Sequence, residues 1–128
     1  MVTITALFAA VLSLLFIWLS LQVIKTRRQE KVALGDGGNK MVRRAMRAQA
    51  NFAEYTPLAL LLMGLAELQG AAPWWILIIG LVLLGGRSMH AYGFMDENEN
   101  LSLRVRAMQC TFAALGAGAI TNLVLAVF

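Results

Sequence analysis

Residues 2–24 contain no charged side chain. Wound as a helix at about 1.5 Å per residue, a run of that length crosses a hydrocarbon core of about 30 Å. Inside lipid the backbone must satisfy its own polar groups, so the run is expected to be helical. A secretory leader would carry a basic start and a small-residue cleavage site after a shorter apolar stretch. Neither is present, so the helix is read as retained. Residues 55–66, 68–86 and 107–128 are also free of charge. Gly70-Ala71-Ala72-Pro73 separates the middle two runs, and a proline restricts the residue before it as well. The reading is a single membrane domain over residues 1–128, with spans at approximately 2–24, 43–69, 74–93 and 103–127. The fold class expected is all-α, an integral-membrane four-helix bundle. Trp74 and Trp75 suit an interfacial aromatic belt. No internal repeat or low-complexity tract is present.

Composition narrows the function classes. The chain is 59% hydrophobic and 14% charged, against about 45–50% and about 25% in soluble domains. That excludes a disordered chain and argues against a soluble globule. The basic balance, 11 Lys+Arg against 7 Asp+Glu, is concentrated rather than spread. Residues 25–47 hold eight basic and two acidic side chains, a net +6. Such a cluster beside apolar runs marks a membrane flank, so the expected partner is the lipid bilayer and not nucleic acid. The first connection carries Gly35-Asp36-Gly37-Gly38-Asn39, and the third carries Asp96-Glu97-Asn98-Glu99-Asn100. Both fall on one side of the bundle. The positive-inside rule puts the basic 25–43 loop in the cytoplasm, and both termini with the 70–73 turn on the opposite face. Cys110 is the single cysteine, which excludes an intramolecular disulfide and a cysteine-based metal cluster. No metal is expected.

The second helix opens with Arg43-Arg44-Ala45-Met46-Arg47-Ala48-Gln49-Ala50-Asn51-Phe52-Ala53-Glu54-Tyr55. Arg43, Arg47, Asn51 and Glu54 recur at i, i+4, i+8 and i+11, which puts them on one helix face. Arg44 and Tyr55 flank it. An ionisable group inside a span is costly unless it faces a bundle interior or an aqueous cavity, so it marks a functional site by default. The plain alternative is a structural ion pair, for instance Glu54 with Arg47. Arg87 and His90 lie at i, i+3 near the end of the third helix, followed by Tyr92 and Phe94. Arg104 and Arg106 open the fourth, with Gln109 a turn on. Either arginine could instead snorkel to headgroups. Three helices thus bring polar groups to one depth.

Arginines bind carboxylates in bidentate fashion, and an embedded Glu asks for a cation. Glutathione carries two carboxylates and an ammonium. Its thiol, near about 8.5 by analogy with cysteine, is mostly protonated at neutral pH, and a nearby arginine favours the nucleophilic thiolate. Succinate-like or phosphate ligands would also suit the arginines.

Residues 47–58, Arg-Ala-Gln-Ala-Asn-Phe-Ala-Glu-Tyr-Thr-Pro-Leu, resemble the second-helix signature of the MAPEG family, the membrane-associated proteins in eicosanoid and glutathione metabolism. The pattern is approximately Arg-Ala-x-x-Asn-x-x-Glu-Tyr-x-Pro, and the likeness extends over the whole chain. It is similar to the microsomal glutathione transferase and leukotriene C4 synthase members. The resemblance implies a homotrimer binding glutathione between subunits, as a co-substrate, toward the cytoplasmic side. Carried over residue by residue, Arg47, Gln49, Asn51, Glu54 and Tyr55 would hold glutathione. Arg104 matches the arginine that stabilises the thiolate, with Arg106 the next candidate. Arg27 aligns with a carboxylate-binding arginine ending the first helix, and His90 falls where members have Tyr or His. Phe94 departs from the pattern, replacing a second Tyr. Ala50 lacks the Arg of the prostaglandin E synthase branch, which argues against that activity. Short loops and the absence of an endoplasmic-reticulum retention signal suit the small bacterial members, so a bacterial inner membrane is the expected location.

The resulting expectation is a membrane-bound glutathione transferase, with glutathione peroxidase activity as a further option, acting on an apolar electrophile from the bilayer. A non-catalytic glutathione- or lipid-binding scaffold is the alternative. A small multidrug-type transporter is disfavoured, since such exporters need an acid in the first span and residues 2–24 have none.

Overall fold

In the computed structural model, which describes residues 1–95, 98 and 100–128, the chain forms four long helices. They are α1 (Thr3–Glu30), α2 (Lys40–Leu68), α3 (Pro73–Met95) and α4 (Leu101–Val127). Among the described residues there is no strand. Of the polar turn read over 96–100, only Asn98 and Asn100 lie within the described residues.

Local chemistry sets each boundary. α1 continues past its uncharged run because long basic side chains reach water from a helix end. It stops at Lys31, whose backbone is left-handed at φ 56° and whose N–H bonds to the Arg27 carbonyl. Arg27 and Arg28 occupy the last turn, where cations complement the helix dipole. Asn39 caps α2, its Oδ1 accepting from the N–H groups of Met41 (2.8 Å) and Val42 (3.1 Å). Before it, the Asp36 carboxylate accepts from the Gly38 N–H (2.9 Å) and Arg43 Nε (2.7 Å), and those bonds hold its carboxyl below the usual range. Pro73 opens α3, where a preset φ costs nothing and the missing N–H is not needed. Asn100 caps α4 through the Leu103 N–H (3.0 Å).

α1, α3 and α4 are each long and apolar enough to cross a membrane. α2 is as long, but its first half carries Arg43, Arg44, Arg47, Asn51 and Glu54. The result is an all-α membrane bundle. Its core includes Phe8, Leu12, Leu19, Phe52, Met63, Ile76, Ile79 and Leu83. Leu7, Leu14, Ile17, Trp18 and Leu21 of α1, with Ile120, Leu123 and Val124 of α4, are exposed, as helices facing lipid require. Glycines set two close contacts. A Cβ at Gly80 would enter the Phe8 ring of α1. One at Gly86 would lie 2.9 Å from Cys110 Cβ and 3.0 Å from the Ala107 carbonyl oxygen of α4.

At the end of the bundle bearing the α2–α3 turn, polar groups satisfy one another. The Glu67 carboxylate accepts from the N–H groups of Ile4 (2.9 Å) and Thr5 (2.8 Å), which open α1. Asn122 of α4 donates to the Leu62 carbonyl (2.8 Å), and Trp75 Nε1 donates to Thr121 Oγ1 (2.8 Å).

Candidate functional site

The opposite end of the bundle is different: its polar groups line a cavity. Arg47 and Asn51 come from α2, His90 and Phe94 from α3, and Arg104, Val105, Met108, Gln109 and Phe112 from α4. The cavity volume is about 410 Å³. The lining is mixed: Arg47, Asn51, His90, Arg104 and Gln109 are polar, and Phe94, Leu101, Val105, Met108 and Phe112 are apolar.

Packing fixes the polar side chains. The Arg104 guanidinium lies over the Phe94 ring, its Cζ 3.9 Å from the centroid, a cation–π arrangement. Gly93 makes room for it, since a Cβ there would stand 2.8 Å from Arg104 Cγ. His90 is buried, tilted against the same Phe94 ring at 4.8 Å, and its Nδ1 has no hydrogen-bond partner among the described residues. Arg104 Nε is likewise buried and without a partner. Arg47 Nη1 stands 3.7 Å from Glu54 Oε1, an ion pair whose side chains are both about half exposed (55% and 50%). Such an open pair at that depth is loose, so both groups remain available. Tyr55 packs edge-on against Phe112 at 5.6 Å.

The structure therefore brings Arg47, Asn51, His90 and Arg104 together, with Glu54 and Tyr55 adjoining. Two expected residues lie elsewhere in the chain. Gln49 points to α1, donating to Ser20 Oγ (2.9 Å). Arg27 braces the first loop, with Nη1 donating to the Gly35 carbonyl (2.6 Å) and Nη2 facing Met46 Sδ (3.3 Å). Arg106 is exposed and does not line the cavity, unlike Arg104. Among the described residues no His, Cys, Asp and Glu cluster could hold a metal. One residue stands out that was not among the expected ligands. Arg87 is only 1% exposed, and its Nη2 donates to Asn51 Oδ1 at 2.7 Å. Sequence spacing pairs Arg87 with His90 along α3, but gives no sign that Asn51 of α2 lies opposite.

The profile of the MAPEG family matches residues 5–124. The chain belongs to the MAPEG family. Two relatives carry the name inner membrane protein YecN, one from Escherichia coli strain K12 and one from Escherichia coli O6:H1 strain CFT073. Each is 39% identical to this chain over 120 residues, covering 94% of this chain and 90% of the relative. Family membership agrees with the reading of residues 47–58, and that stretch of α2 contributes Arg47 and Asn51 to the cavity of this MAPEG chain, with most of the lining coming from α4. Chemically, the site offers guanidinium and amide donors to an anion and, among them, apolar side chains to a second, greasy molecule.

Proposed function

We propose that this MAPEG chain is a membrane-bound glutathione transferase acting on an apolar electrophile. The observation that carries the reading is that Arg47, Asn51 and Arg104 line one cavity together with Val105, Met108 and Phe112. The first group suits a peptide with two carboxylates; the second suits a partner arriving from lipid. Arg47 and Asn51 would bind glutathione, and Glu54 would take its ammonium. Arg104, held over Phe94, would favour the thiolate by opposing its charge in a site of low polarity. The thiol gives its proton to water, the sulfur attacks the electrophilic carbon, and the leaving group departs with its electron pair. With a lipid hydroperoxide, the thiolate would instead attack the peroxide oxygen, and a second glutathione would complete the reduction.

The open Arg47–Glu54 pair supports association with further copies, since two half-exposed charges on a membrane helix need a polar cover, and the MAPEG resemblance implies that the assembly is a homotrimer. Arg27 and Gln49 would then reach glutathione only across a subunit boundary. The names of the Escherichia coli relatives support an inner-membrane location, and the positive-inside rule would put the basic 25–43 loop in the cytoplasm.

An ultraviolet difference titration of detergent-solubilised protein with glutathione tests the reading. Thiolate absorbance at neutral pH is expected in the native protein and lost in Arg104→Ala, with glutathione still bound. Binding without thiolate in the native protein would favour the non-catalytic scaffold, and no binding would end the glutathione assignment.

A further inference from the structure

Arg87 is the most deeply buried cation in the described part of the molecule, and no mechanism above uses it. It sits on α3 and is 1% exposed. Among the described residues no carboxylate reaches it; the ion pairs found are Arg43–Asp36 and Arg47–Glu54. Among the described residues its single hydrogen bond is Nη2 to Asn51 Oδ1 (2.7 Å), and Nε and Nη1 are buried without partners there. The guanidinium also stands 5.9 Å from the ring of Phe52, the residue after Asn51. α2 thus meets it with two consecutive side chains. An uncompensated buried charge is costly, and an apolar side chain of similar volume would pack without that cost. What the charge does here is restrict a neighbour. A guanidinium only donates, so the atom that Asn51 turns toward it must be the amide oxygen. The amide nitrogen then points away. Asn51 lines the cavity, and its Nδ2 makes no hydrogen bond among the described residues.

We infer that Arg87 is a positioning residue: by holding Asn51 Oδ1 it turns the Asn51 amide hydrogens into the cavity, so that Asn51 can only donate to the ligand. A donor at that place takes a carboxylate or peptide carbonyl oxygen of glutathione and refuses its ammonium. The inference rests on the glutathione reading for the ligand's identity, but the orientation of Asn51 does not depend on it.

The two substitutions that separate this role from simple packing are Arg87→Lys and Arg87→Gln. Lysine also only donates, so the amide stays oriented. Glutamine can accept, so the amide is free to turn over. By calorimetry on detergent-solubilised protein, Arg87→Gln is expected to weaken glutathione binding about tenfold, the scale of one hydrogen bond to a charged ligand. Arg87→Lys is expected to bind nearly as the native protein does. In an Asn51→Ala background Arg87→Gln should cause no further loss, since residues acting through one contact are not additive. Asn51→Asp, which retains a partner for Arg87 but presents only acceptors, should bind worse than Asn51→Ala. The inference is overturned if Arg87→Lys is as weak as Arg87→Gln, if the two losses simply add, or if Asn51→Asp binds as the native protein does. A ligand-free readout runs beside these. The Asn51 side-chain ¹⁵N–¹H₂ signals, identified by their absence in Asn51→Ala, should be kept in Arg87→Lys and displaced in Arg87→Gln. If the native protein binds no glutathione, the transferase reading falls while these signals still decide for Arg87, and signals unmoved by Arg87→Gln sink the inference.

Discussion

Arg104 shows how a single side chain depends on the residue packed against it. Its guanidinium lies over Phe94 because Gly93 leaves no Cβ in the way. Gly93→Ala would put a methyl 2.8 Å from Arg104 Cγ, and the arginine must swing off the ring. Turnover with a model electrophile should then fall, on the scale of about a hundredfold that an ångström-sized misplacement costs, while glutathione affinity holds. Full turnover in Gly93→Ala would mean that the ring-stacked pose is not the working one. Arg47, Asn51 and Glu54 are readable as candidates because they share one face of a helix that leads into an apolar run, whereas Arg104 is singled out from Arg106 only by the resemblance to the MAPEG pattern. Gly93 is not readable that way, since a glycine's use depends on what faces it. Arg87 falls between: its charge is visible, but its partner is 36 residues away on another helix.

The helices were legible wherever an uncharged run exposed them, because lipid leaves a chain of that composition little choice but helix. Their ends were less so. α1 runs on to Glu30 and α2 starts at Lys40, since capping by Asn39 and the left-handed turn at Lys31 fix these ends and hydropathy does not. The contact of α3 with α4 has its own test. Gly86 faces the Ala107 carbonyl oxygen and Cys110, both on or near backbone that cannot rotate away. Gly86→Val should therefore force the two helices apart and destabilise the protein by about 1–3 kcal/mol, the usual cost of overpacking. Thermal unfolding in detergent reads this as a lower midpoint. A midpoint unchanged from the native protein would show that α4 can slide without loss, and with it Arg104 and the apolar side chains it brings to the cavity.

At the scale of the whole molecule, the site is unevenly finished. Its α3 side is packed, with His90 and Phe94 buried, whereas Arg47 and Glu54 of α2 stand half exposed, as do Val105 and Phe112 of α4. On the proposed reading that face is closed by neighbouring subunits, and native mass measured from detergent should report three copies of the 14.0 kDa chain. A single copy that still binds glutathione would place the whole ligand site within one subunit. Assembly within the chain carries a second message. The first N–H groups of α1 end on Glu67, more than sixty residues downstream. When α1 first enters the bilayer during synthesis, that carboxylate does not yet exist, and the opening turn has nothing in the protein to bond. The turn is completed only when the far end of α2 arrives beside it. The opening turn of α1 is therefore a contact that only the α1–α2 hairpin can complete, with Glu67 as the tie between the two helices.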